Sequence, residues 1–130
     1  MLDADILIGA LDGSDPHHTR ARQMLTSWHA LDDPILISVV NLTEVLIAPA
    51  TDHERVRAAR AAIAALGVGI HRPTEAIAVD AARLRARYPI SLPDSYLLAT
   101  TRHLGATAAS FDHKIRRSAN AEGIQTTSRS

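Results

Sequence analysis

The chain has 130 residues with 14 basic and 14 acidic side chains, so its formal net charge is zero. That length fits one domain able to bury its own apolar core, and the charge balance argues against a protein that merely coats polyanions. The absence of cysteine excludes disulfides, thiolate zinc sites and a thiol nucleophile.

No apolar run approaches the roughly 20 residues of a membrane span, and the N-terminus lacks the pattern of a signal peptide. A soluble, cytoplasmic protein without membrane partners is expected. The basic residues are 13 Arg and one Lys. Arg forks suit phosphate and base stacking, although a solvated surface has the same composition. Aromatic residues make up only 3% of the chain, which speaks against a broad stacking platform for single-stranded nucleic acid.

In chain order, Leu2 leads into Asp3, where a short first strand ends and a helix carrying Ile6, Leu7 and Ile8 begins. Residues 12–16 read as a loop. Residues 17–31 place Ala21, Met24, Trp28 and Leu31 on one helical face, and Asp32-Asp33-Pro34 ends it. Residues 35–40 form a continuous apolar run, as in a strand buried on both faces. Asn41 then reads as an N-cap opening a helix through Leu46.

Val56, Ala59, Ile63 and Leu66 repeat at helical spacing until Gly67. Residues 68–70 are a weak strand. Thr74 caps a helix carrying Ile77, Ala81 and Leu84, and Ser91 opens another that ends at Gly105. Residues 106–110 read as a strand, 114–121 as a helix and 124–127 as a last strand. Strands alternating with helices predict an α/β fold. A mostly parallel central sheet of about four to five strands should carry helices on both faces.

In such a sheet, ligands bind beyond the carboxyl ends of the strands. Asp3, Glu44, Asp94 and Asp112 all land there. Clustered carboxylates repel, and a hard divalent cation relieves the repulsion. Such a cation can activate water against a phosphodiester. Each acid alone also reads as a cap or turn residue: Asn41 with Glu44, and Ser91 with Asp94, both match capping boxes. Asp5 suits either a helix start or a group orienting a metal water, and Ser110 a strand end or a partner of Asp112. Lys114, Arg116 and Arg117 follow Asp112 as a basic run that either grips RNA phosphates or is a solvated face. The seven histidines lack zinc-site spacing. Asp52, Asp80 and Glu122 read as ordinary surface acids.

Four strings carry a resemblance: Leu2-Asp3-Ala4-Asp5-Ile6-Leu7-Ile8; Ile37-Ser38-Val39-Val40-Asn41-Leu42-Thr43-Glu44; Ile90-Ser91-Leu92-Pro93-Asp94-Ser95-Tyr96-Leu97-Leu98-Ala99; and Ala106-Thr107-Ala108-Ala109-Ser110-Phe111-Asp112. In this order and spacing they resemble the acidic motifs of PIN-domain proteins, and the size resembles VapC-type toxins of type II toxin–antitoxin pairs. The resemblance implies a PIN-like three-layer fold over residues 1–130 and an Mg²⁺- or Mn²⁺-dependent endoribonuclease. It implies catalytic Asp3, Glu44, Asp94 and Asp112, with Asp3 and Asp94 on the metal and Asp5 and Ser110 supporting them. It also implies an RNA substrate, a homodimer and a cognate antitoxin. The chain departs from many relatives where His113 and Lys114 follow Asp112 in place of a further acid, and its first strand is short. An antitoxin could insert an Arg among the acids and lay a helix against Met24, Trp28, Val56 and Ile63. Two alternatives are a non-catalytic PIN-like binding module and a haloacid-dehalogenase-like phosphatase, the latter from Asp3-Ala4-Asp5.

Overall fold

The structure is a computed structural model, and it describes residues 1–127. Among the described residues seven helices and two strands are formed: α1 (Ala4–Leu11), α2 (His18–Ala30), β1 (Ile35–Ser38), α3 (Val39–Leu46), α4 (His53–Ala65), β2 (Val68–His71), α5 (Glu75–Arg87), α6 (Leu92–Leu104) and α7 (His113–Ala121).

β1 and β2 pair in parallel, with Ile35 opposite Val68 and Ser38 opposite His71. The predicted four to five strands are therefore too many among the described residues, because the other three segments make single bridges only. Leu2 bridges both Ile37 and Ala109, and Ala108 bridges Thr126, all in parallel. The order across the layer is thus β2, β1, Leu2, residues 108–109 and Thr126. The cause of the shortening is local. Asp3 caps α1 directly after Leu2, and Asp112 caps α7 soon after Ala109, so neither segment extends far enough for a ladder.

Alternation along this layer builds the core on both sides. Leu2, Ile35, Ile37 and Ala109 pack into one apolar cluster with residues of α1 to α4. Met1, Leu36 and Ala108 pack into a second with residues of α5, α6 and α7. Successive side chains of an extended segment point to opposite faces, so a few residues seal two helical layers. Leu97, Leu98, Ile6 and Leu7 are fully buried at these contacts.

Strand β1 stops two residues earlier than the apolar run suggests. Ser38, not Asn41, is the N-cap of α3, and its Oγ accepts from the Val40 N–H. Apolar composition cannot separate a buried strand from the first turn of a buried helix, so Val39 and Val40 read as strand. Asn41 is instead fully buried inside α3 and donates through Nδ2 to the Pro93 carbonyl at 3.0 Å. This bond ties α3 to the first turn of α6. Other predicted caps form: Thr74 caps α5, and Gly105 ends α6 with φ of 60°, a left-handed conformation glycine adopts without strain.

All three acids read as ordinary surface groups make structural bonds. Arg102 binds Asp80 at 2.7 Å and Glu122 at 2.9 Å, and Arg87 binds Glu122 at 2.8 Å. Tyr88 also donates its hydroxyl to Glu122. These bonds pin α5, α6 and the end of α7, and the Glu122 carboxyl is held down to about 2 by Tyr88, Arg102 and Arg87. Asp52 caps α4 through the Glu54 and Arg55 N–H groups. Glu122→Gln removes the charge from these bonds and is expected to lower the urea midpoint, where the same change at a solvated acid would leave it unchanged.

Candidate functional site

The short segments that limit the sheet also aim the acids. Leu2 accepts no further neighbour before the chain turns into α1, so Asp3 emerges at the carboxyl end of the layer as the α1 N-cap. Its Oδ1 accepts from the Ala4 N–H at 2.7 Å, and its Oδ2 accepts from Ser110 Oγ at 2.7 Å. Ser110 Oγ in turn accepts from the Asp112 N–H at 3.0 Å. One hydroxyl thereby joins the first and fourth acidic motifs. Asp112 caps α7 by accepting from the Lys114 N–H.

Asp5 lies in the first turn of α1, and its Oδ2 accepts from the Phe111 N–H at 2.9 Å. Its Oδ1 is buried and has no hydrogen-bond partner. Asp94 is the third residue of α6 and completes the predicted capping box: its Oδ2 accepts from the Ser91 N–H and its own N–H donates to Ser91 Oγ. Glu44 sits in α3 without the predicted capping bond, because the helix starts three residues earlier than that reading required.

Asp3, Asp5, Glu44, Asp94 and Asp112 line one cleft of about 550 Å³, rimmed by Ile8, Ile47, Ala48 and Ser91. No ion pair among the described residues involves any of these five acids. The charge state reflects that imbalance. Burial first, and the Asp5 and Asp94 charges next, raise Asp3 from 3.8 to about 7. Burial first, with a contribution from Asp112, raises Asp5 to about 6. Burial and the Asp94 charge raise Glu44.

The donor set fits a hard divalent cation. Every donor is oxygen, one buried carboxylate oxygen is unsatisfied, and burial, with neighbouring carboxylates, raises Asp3 and Asp5 where no cation lowers them. Among the described residues no group of three or more His, Asp or Glu side chains is placed to hold a metal ion together. Any direct ligation here is by one or two carboxylates, the number Mg²⁺ usually takes while keeping several waters.

The basic run after Asp112 divides. Lys114 and Arg117 are exposed, one helical turn apart on α7, whereas Arg116 turns away to donate to the Thr127 carbonyl at 3.2 Å. The groove expected from Met24, Trp28, Val56 and Ile63 does not form as one surface. Met24 and Ile63 are core residues. Met24 and Trp28 line one hollow with Asn120 and Gln125, while Val56 and Ile63 line another with Leu42 and Ile70. Sequence reasoning also passed over Asn41 as a link between acid-bearing helices, and over Phe111 as the backbone donor to Asp5. The only signal for Phe111 was its position between Ser110 and Asp112.

Comparisons with known proteins agree with this geometry. The PIN domain family profile matches residues 1–121. No curated protein sequence matches the chain significantly. Among solved structures, the chain is similar to a chain of a toxin–antitoxin complex from Klebsiella pneumoniae, at 26% identity and a TM-score of 0.68, covering 85% of this chain and 84% of that one. It is similar to VapC20 of Mycobacterium tuberculosis, described as a Sarcin-Ricin loop cleaving toxin, at 20% identity and a TM-score of 0.71, covering 95% and 94%. It also resembles FitAcB from Neisseria gonorrhoeae at 17% identity and a TM-score of 0.68, covering 98% and 95%. With the profile spanning nearly the whole described chain and the acids of its four motifs sharing one cleft, the chain belongs to the PIN domain family.

Proposed function

We propose that this protein is a divalent-metal-dependent endoribonuclease and the toxin of a toxin–antitoxin pair. The observation that carries the reading is the cleft in which five acids meet with no positive side chain paired to them among the described residues. When bound there, Mg²⁺ or Mn²⁺ supplies an activated water and neutralises charge that develops on a phosphoryl group.

The chain's own residues divide the remaining work. Asp3 and Asp94 would hold the cation. Asp94 keeps Oδ1 for this task, since Oδ2 is engaged by the Ser91 N–H. Ser110 fixes the Asp3 carboxylate by donating to Oδ2. Asp5, whose buried Oδ1 has no partner, and Glu44 and Asp112 would orient water at the cation, and one of these carboxylates would take the proton that the water loses. Lys114 and Arg117 offer phosphate contacts beside Asp112.

An RNA substrate, a cognate antitoxin, a homodimer and a cytoplasmic setting belong to this same reading. The structural likeness to a toxin–antitoxin complex supports the antitoxin. A binding module without catalysis is disfavoured because it has no use for raised, unpaired carboxyls at such a site. The test is cleavage of a total RNA preparation by purified protein. Cutting is expected with Mg²⁺ or Mn²⁺ and none with EDTA, and full activity in EDTA would overturn the proposal.

A further inference from the structure

The composition argues against a row of stacking aromatics, yet the structure builds one small stack beside the acids. The His17 ring lies on the Phe111 ring with centroids 4.3 Å apart and planes 19° from parallel. The Arg20 guanidinium lies 5.2 Å from the centre of the same Phe111 ring. Phe111 is the chain's sole phenylalanine. It is half-buried against the core, while His17 is exposed.

This stack is fixed to the cleft through two routes. The Phe111 N–H holds Asp5 at 2.9 Å, and its chain neighbours are Ser110 and Asp112. His17 is held over α1, where a Cβ added at Gly9 would lie 3.6 Å from the His17 Cβ. Gly9 follows Asp5 by four residues, so it lies on the same helix face one turn along. His17 also occupies the N-cap position of α2 without making a side-chain capping bond there. Its imidazole is committed to the stack instead.

We propose that the exposed imidazole of His17, backed by Phe111 and Arg20, is a stacking site for one unpaired nucleobase of an RNA lying across the acidic cleft. The inference deepens the nuclease reading above and rests on it. A base offers a flat π-face of the size an imidazole can cover, and such stacking tolerates any base. A single step of this kind selects unpaired over paired RNA, because a base inside a duplex has both faces covered. It explains how a chain of zero net charge and few aromatics can still fix the register of a strand at its acids.

The test is base fluorescence, which needs no cleavage. Short single-stranded and hairpin-loop RNAs carrying 2-aminopurine are titrated with the full chain in Ca²⁺, and stacking quenches the fluorophore. Quenching is expected with the unaltered protein and with His17→Phe, which keeps a flat ring, and it should be lost with His17→Ala. In Mn²⁺, His17→Ala should raise KM by about tenfold, as loss of one stacked base does, with kcat within about twofold. Thermal melting checks that the variant is folded. Quenching unchanged in His17→Ala, lost in His17→Phe, or absent from the unaltered protein with every RNA would overturn the stacking site. Absence of any RNA cleavage would sink the nuclease reading instead, and the quenching result would stand separately. Stacking of a partner peptide rather than RNA on His17 would appear as no quenching with any RNA, and so overturns the proposal.

Discussion

Asp3→Asn is expected to abolish RNA cleavage while making the metal-free protein more stable at pH 7.5. Both effects come from one buried charge. Asp3 is 6% exposed, and burial together with the Asp5 and Asp94 charges pushes its carboxyl up to about 7. At pH 7.5 the native state must therefore carry a charge it disfavours. The asparagine keeps the local bonds: its oxygen can still accept from the Ala4 N–H, and its amide can donate to Ser110 Oγ. The Ser110 hydroxyl hydrogen is then free to turn toward Asp5 Oδ2, 3.4 Å away. Removing an uncompensated buried charge without removing its hydrogen bonds should gain about 1 kcal/mol, or roughly 3–5 °C in melting temperature. Cleavage should fall by about 100-fold or more, since groups that merely orient metal ligands already cost 10- to 100-fold when lost. Mn²⁺ should raise the melting temperature of the unaltered protein and leave that of Asp3→Asn nearly unchanged. A variant that is less stable without metal, or that keeps its cleavage rate, would contradict this account.

The same acids show what a sequence displays and what it withholds. Helix existence was legible because caps and apolar spacing act locally: Thr74, Ser91 and Gly105 each mark a helix end through bonds to their own neighbours. The gathering of the acids was legible because topology alone sends Asp3, Asp94 and Asp112 to one end of the layer. Strand number was not. Leu2 and residues 108–109 have the composition of strands, but the caps beside them cut each to single bridges, and pairing depends on how far the backbone runs before it turns.

Long-range polar partnerships were hidden for a related reason. Asn41 looked like a cap because the residues around it permit one, whereas its amide reaches Pro93, 52 positions away. Glu122 looked like a solvated acid because no basic residue stands three or four positions from it, and its partners Arg87 and Arg102 arrive from other helices. His17 and Phe111 are 94 positions apart in the chain and stack with ring centroids 4.3 Å apart. No periodicity encodes such meetings.

Metal affinity should depend steeply on pH, and metal-free stability should run opposite to it. Asp3 and Asp5 have native values of about 7 and about 6 against an ordinary 3.8. Between those limits the native state binds more protons than the unfolded chain, so stability falls as pH rises through the window. Glu122 acts with the other sign: its native value of about 2 lies below the ordinary 4.5, so its contribution is present above pH 4.5 and is lost only as pH falls toward 2. Metal-free stability should accordingly peak near pH 4–5 and decline toward pH 7.5. Cation binding needs the carboxylates ionised and so competes with their protons. Each proton displaced weakens binding about tenfold per pH unit below the native pKa. Mn²⁺ should therefore bind about 100-fold or more weakly at pH 5 than at pH 7.5. Melting curves with and without 1 mM-scale Mn²⁺, about the concentration at which weak oxygen sites fill, read this directly. The Mn²⁺-induced rise should be near zero at pH 5 and largest at pH 7.5, where it also restores the stability lost by ionising the two acids. Glu122→Gln should keep this pattern, because its carboxyl belongs to the helix network and not to the cleft. An equal Mn²⁺ shift at both pH values would mean that Asp3 and Asp5 are already ionised at pH 5, and the charge repulsion placed in the cleft would then be absent.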